Sequence, residues 1–107
     1  MLKQESRGEI KLKIYDKAAW HIDNGMAPEK VIKHFETVFS WLEEKGFLND
    51  SGKEIIEIGI GSDASIHEEL LTPDGNEFLS KYYDDIIKKT EYSTDKTIVL
   101  LNKYFNS

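Results

Sequence analysis

The sequence predicts a single α+β domain, mostly helical, with winged-helix-like helices, a small β-hairpin and a C-terminal helix. Three observations carry this expectation. Apolar residues recur at helical spacing in three long stretches. Both prolines, Pro28 and Pro73, stand where helices begin. Only 54–71 reads as two short runs flanking a glycine-containing turn. A chain of 107 residues suits one core, and no repeat or linker divides it.

In chain order, the first element reads two ways. Ile10, Leu12 and Ile14 alternate with Lys11 and Lys13 at strand period, but Ile10, Ile14, Ala18 and Ile22 share one helical face. Tyr15 and Ala19 join that arc, so the helical reading is favoured. Asp16 is the expected N-cap, and Asn24-Gly25 the left-handed stop.

The clearest helix spans 28–45. Pro28 fits its first turn, and Val31, Phe35, Val38 and Leu42 form a stripe widened by Ile32 and Phe39. Gly46 ends it, with Phe47 folding back on Leu42 as in a Schellman motif. Residues 51–60 remain open between two readings. Ser51-Gly52-Lys53-Glu54 has the form of a capping box, giving a short helix that ends at Gly59. Alternatively, Glu54–Ile60 and Ser65–Leu71 form a hairpin about Gly61-Ser62-Asp63. Asn49-Asp50-Ser51 matches a glycosylation sequon but reads as a turn.

Thr72-Pro73-Asp74 starts the next helix: a capping hydroxyl, a proline at the first position, then an acid that the helix dipole favours. Phe78, Tyr82 and Ile86 form its apolar stripe, with Leu79 and Tyr83 beside it, and Lys88 and Lys89 suit its end. A last helix runs from Thr94 or Asp95 to Phe105 through Ile98 and Leu101.

Charge is unevenly distributed. The net charge is −6, yet residues 50–85 hold ten acids and only two bases. Such a surface repels phosphate backbones and favours basic partners. No stretch has the length and apolarity of a membrane span or a signal peptide, so the expected location is cytoplasmic. There is no cysteine, which excludes disulfides, thiolate nucleophiles and cysteine zinc sites.

Two segments carry a family resemblance. Trp41-Leu42-Glu43-Glu44-Lys45-Gly46-Phe47-Leu48 resembles the end of a recognition helix entering the wing of winged-helix proteins. Leu71-Thr72-Pro73-Asp74-Gly75-Asn76-Glu77-Phe78-Leu79 resembles their join from the last wing strand to the next helix. The likeness covers about residues 16–90 and implies DNA binding through helix 28–45 and the wing. On that reading Lys30, Lys33, His34 and Thr37 would meet nucleic acid. The would-be wing departs from that role: 54–71 carries Glu54, Glu57, Asp63, Glu68 and Glu69 without one lysine or arginine, and no arginine follows Arg7.

No motif requires catalysis. Ile56–Ala64 resembles the glycine-rich turn of a Rossmann-type site, but Asp63 replaces the third glycine and fewer than fifty residues follow. His21, His34 and His67 lack the spacing of a metal centre. Glu43-Glu44, Glu68-Glu69 and Asp84-Asp85 are adjacent acids whose side chains diverge. No serine lies in a nucleophile elbow. No cofactor, metal or enzymatic activity is therefore expected.

The leading expectation is a non-enzymatic acidic protein-interaction module, of which an inhibitor or immunity-type protein is one form. Trp41, Glu57, Asp63, Glu68 and Glu69 are its candidate partner-binding residues, Trp20 is a second candidate aromatic anchor, and the expected partner is a basic protein. The competing reading of both tryptophans is that they complete the core. A winged-helix-like DNA-binding regulator is the alternative, with a homodimer seam formed by Ile98, Leu101 and Phe105 of the last helix.

Overall fold

The computed structural model describes residues 12–106. Its elements are β1 (Ile14–Lys17), α1 (Ala18–Asp23), α2 (Pro28–Glu44), α3 (Asp50–Ile58), β2 (Ser65–His67), a 3-10 turn (Glu68–Leu70), α4 (Pro73–Thr90) and α5 (Thr94–Phe105). The fold is mostly helical α+β, as expected. Helix α5 packs against both α2 and α4, α1 and α3 lean on α2, and β1 lies against α4.

The core grows from the stripe of α2. Val31, Phe35, Val38, Phe39 and Leu42 are fully buried, facing Leu79, Tyr83 and Ile86 of α4, Leu101 of α5 and Ile66 of β2. Burying each large side chain contributes about 1.5–3 kcal/mol, so this stripe sets the layout. The Schellman stop is present: Phe47 N–H donates to Leu42 O at 2.8 Å, Gly46 N–H to Glu43 O at 3.1 Å, and Gly46 has φ 75°. Thr72 caps α4 through Gly75 N–H at 3.1 Å. The α4 stripe is rotated from the expected one, with Tyr83 fully buried and Tyr82 on the flank.

Three expectations need correction. The favoured helix does not include 14–17, which is strand; Ile10 and Lys11 lie outside the described residues. Asp16 does not cap α1: Lys17 is the N-cap and makes no side-chain cap bond. The hairpin between 54–60 and 65–71 does not form. Residues 50–58 are helix α3, and β2 pairs antiparallel with β1 instead, Ile14 opposite His67 and Lys17 opposite Ser65. Asn49, not Ser51, caps α3. Its side chain accepts from Gly52 N–H at 3.0 Å while donating to Glu69 O at 2.9 Å. That cap stitches α3 to the turn after β2 and settles 54–58 as helix.

The β1–β2 pairing breaks register between Ile14 and Asp16. Such an irregularity re-aims side chains, and here Asp16 points inward, 3% exposed.

The two segments that carry the family resemblance meet in space. Leu48 bridges Leu71, and Thr72 N–H donates to Phe47 O at 2.9 Å. Two glycines make these approaches feasible. A Cβ on Gly52 would sit 2.4 Å from Leu70 O, and one on Gly75 2.6 Å from Phe47 O, both backbone atoms.

Candidate functional site

Two places concentrate chemistry: a buried chain of polar side chains and a small cup whose mixed lining includes Asp63.

The buried chain starts at Asp16. Lys17 N–H donates to its Oδ1 at 2.9 Å, His21 Nε2 lies 2.6 Å from the same oxygen, and Tyr83 OH donates to Oδ2 at 2.5 Å. Beyond His21, Tyr92 OH contacts Nδ1. Beyond Tyr83, His34 Nε2 lies 3.2 Å from the phenol oxygen. One proton arrangement serves every bond: Tyr92 donates to His21 Nδ1, His21 Nε2–H to Asp16, Tyr83 to Asp16, and His34 Nε2–H to Tyr83. His34 Nδ1 is then an unprotonated nitrogen, buried and without a partner.

Burial sets the energetics of this chain. His34 is pulled down to about 4, first by desolvation and then by the positive charge that His21 carries when protonated; a second proton on His34 would also place an N–H on the partnerless Nδ1. Burial raises the Asp16 carboxyl above its usual range, although hydrogen bonds from Tyr83, His21 and Lys17 pull the other way. Tyr83 is held well above the ordinary phenol range by burial and by the Asp16 carboxylate. Tyr92 is also raised, by burial and then Asp16.

Tyr92 reaches His21 from an unusual turn. Glu91 and Tyr92, between α4 and α5, have φ of 52° and 57°. Left-handed backbone costs a residue with a side chain about 1–2 kcal/mol, and a bulky one rarely adopts it. The turn is held by Thr90, whose Oγ1 accepts from Tyr92 N–H at 3.2 Å and whose carbonyl accepts from Ser93 N–H at 2.9 Å. The polar chain thus ties β1, α1, α2, α4 and the α4–α5 turn together. Asp16, His34 and Tyr83 are 1–3% exposed, whereas His21 and Tyr92, at the other end of the chain, are half-buried.

The cup lies between α3 and β2, a cavity of about 190 Å³. Ile55, Ile58, Ile60, Ala64 and Leu70 line it together with the polar Asp63 and Ser65. Ile58, last residue of α3, is 75% exposed, the highest value among large apolar side chains of the described residues. Gly59 follows at φ 112° and ends the helix. On α3, Asp50, Glu54 and Glu57 follow i, i+4, i+7 spacing and all three are exposed. His67 also lines the cup; its Nδ1 accepts from Glu69 N–H at 3.3 Å, which leaves the neutral ring's proton on Nε2.

The sequence-predicted residues divide between these places and the core. Glu57, Asp63 and Glu69 are exposed, and no base lies within ion-pair distance of them among the described residues. Asp63 lines the cup, Glu69 adjoins the cup residue Leu70 in the chain, and Glu57 lines a separate groove with Asp50, Lys53 and Glu54. Glu68 is spent on the fold: its Oε2 accepts from Lys13 N–H at 3.0 Å, and its own N–H donates to Lys13 O at 3.0 Å.

Trp41 is not a surface anchor. It is 4% exposed, rings against Phe47, Phe78 and Phe105, and donates from Nε1 to Asn102 Oδ1 at 2.9 Å. Trp20 is the exposed tryptophan, at 48%. His34 cannot meet nucleic acid, since it belongs to the buried chain. Lys30 and Lys33 are exposed; Thr37 is half-buried and donates to Lys33 O at 2.8 Å. Lys33 and Thr37 line a groove of about 410 Å³ between α2 and α5, together with Glu36, Glu44, Lys45 and one edge of Trp41. The expected dimer seam is incomplete, because Leu101 is fully buried within the monomer, whereas Ile98 and Phe105 stay partly exposed.

Sequence reasoning missed Asp16, His21, Tyr83 and Tyr92 as a group. Asp16 reads as a cap, His21 as a histidine without metal spacing and Tyr83 as a flank of the stripe in its helix, while Tyr92 carries no reading at all. No family model matches the chain, and no curated protein or solved structure matches it. Among the described residues no helix is long and apolar enough to cross a membrane, and no cluster of ligating side chains could hold a metal ion.

Proposed function

We propose that this protein is a non-enzymatic interaction module that presents an acidic face to a basic protein partner. The observation that carries the reading is the set of exposed acids Glu57, Asp63 and Glu69, which no base neutralises among the described residues, within a stretch of ten acids and two bases. Of those two bases, Lys81 is already paired with Glu77 at 3.2 Å. Unpaired like charges raise a local potential that steers an oppositely charged partner and disfavours phosphate backbones. Masking a basic nucleic-acid-binding surface, as an inhibitor or immunity-type protein would, is one use of such a face.

The test is fluorescence anisotropy with a labelled lysine-rich peptide and a labelled random DNA duplex, at low and then raised salt. The peptide should bind and weaken as salt screens the contact. Reversing Glu57, Asp63 and Glu69 to lysine together should cost at least about tenfold in affinity, as for a charge-steered interface. Reversing Glu43 and Glu44, which lie outside the acidic stretch, should leave it nearly intact. Equal losses in both variants would show that net charge alone is responsible and sink the reading. Duplex binding that falls steeply with salt would instead support the DNA-binding regulator, with Lys30 and Lys33 as its phosphate contacts.

A further inference from the structure

Charge alone does not explain why an isoleucine stands in solvent at the edge of the acidic face. We infer that the cup between α3 and β2 receives one apolar side chain of the partner, presented between lysines or arginines. The inference rests on the acidic-face reading and specifies what that face recognises.

Three observations converge here. The cup, at about 190 Å³, is smaller than the roughly 300–1,000 Å³ of sites that hold a whole small molecule. Its size therefore suits one side chain. Ile55, Ile58, Ile60, Ala64 and Leu70 supply the apolar part of its lining, beside Asp63, Ser65 and His67. Ile58 is left 75% exposed although Ile55 and Ile56 of the same helix are half-buried. An exposed large apolar side chain beside a concavity is the form an interface anchor point takes, with polar groups around it that exclude water.

The rim selects the neighbours of that side chain. Asp63 is among the residues that line the cup, and Glu69 precedes Leu70 in the chain, whereas Glu57 lines a separate groove with Asp50, Lys53 and Glu54. A partner residue entering the cup would thus meet the Asp63 carboxylate, within a stretch of ten acids and two bases, and cations are what complement it. An acidic or phosphorylated segment would meet like charge there. The lip is also open at the backbone: a Cβ on Gly59 would meet nothing within 4 Å. No side chain at that position obstructs approach to the end of α3.

The experiment compares two labelled peptides on the whole chain by anisotropy. One is lysine-rich with a single central leucine, and the other carries serine at that place. The leucine peptide should bind at least about tenfold tighter, in keeping with burial of one aliphatic side chain. In Ile58→Ser, a change at an exposed position, the leucine preference should fall below about threefold as a cup wall is lost. In methyl NMR spectra, Ile55, Ile58 and Ile60 should shift with the leucine peptide and move far less with the serine one. Equal binding of both peptides would overturn the cup inference and leave the acidic face standing. A preference that survives Ile58→Ser, with unmoved isoleucine methyls, would place the apolar contact elsewhere and overturn it too. Failure of both peptides to bind would overturn the acidic-face reading along with it.

Discussion

Helix α2 touches α4 through opposite chemistry at two points, one midway along it and one towards its C-terminal end. At His34 the contact is polar: the imidazole faces Tyr83 in the buried chain that runs to Asp16, His21 and Tyr92. Two turns later Trp41 lies against Phe78, with Phe47 and Phe105 completing an aromatic cluster. Bulky rings fill the space at both points. At one they adhere by area and dispersion, which tolerate small rearrangements. At the other they depend on donors and acceptors that must all be matched, because an unmatched buried group costs its full desolvation.

The largest test of that contrast is at the aromatic contact. Trp41→Ala should lower stability by about 3–5 kcal/mol, read from urea unfolding, since it empties the cluster's centre and leaves Asn102 without its donor.

Acid should break the polar contact selectively. His34 in the fold titrates at about 4, against about 6.5 in an unfolded chain. Above pH 6.5 both states hold it neutral. As pH falls from 6.5 towards 4, only the unfolded chain takes up the proton, so stability drains away by about 3 kcal/mol over that window. Asp16 works in the opposite sense. Its raised folded value means the fold takes up that proton first, which returns part of the loss at the acid end. Thermal unfolding between pH 7 and 4 should show a falling midpoint in the parent and a flat or rising one in His34→Leu. An unchanged slope in the variant would move the pH sensitivity to another group.

A single hydroxyl gives the finest comparison. Tyr83→Phe strips a donor from Asp16 and an acceptor from His34 and should cost about 1–3 kcal/mol. Its neighbour Tyr82 stacks on Tyr104 beside the aromatic contact, and its hydroxyl has no hydrogen-bond partner among the described residues. Tyr82→Phe should stay within about 0.5 kcal/mol. Comparable losses in the two variants, measured by chemical denaturation, would erase the distinction between the contacts.

The same contrast explains what could be read in advance. The apolar stripe of α2, its glycine stop and the Thr72 cap are local patterns, and each is present as read. The strand β1 was obscured because Ile14, Ala18 and Ile22 share a helical face, while its partner, 65–67, lies about fifty residues away. Helix α3 stayed open until the Asn49 bond to Glu69 O showed what held it. Of the candidate site, Glu57, Asp63 and Glu69 were legible as acids of a base-poor stretch. The cup was not, because Ile55 and Ile58 meet Ala64 and Leu70 only once α3 has folded. Trp41 and His34 were misplaced for a related reason: residue type alone does not reveal which helix flank a third element, α5 or α4, will cover.

The two crowded glycines have a consequence for how this fold can vary over evolutionary time. Gly52 and Gly75 face backbone oxygens that cannot step aside as a flexible side chain could. Their substitution would push α3 from the turn after β2, or α4 from the end of the α2 stop. Surface acids can drift while charge is kept, and aromatic cores can repack. These two positions have almost no permitted alternative. A distant descendant of this chain would therefore be betrayed less by its acids or aromatics than by two glycines, twenty-three positions apart, each near the start of a helix.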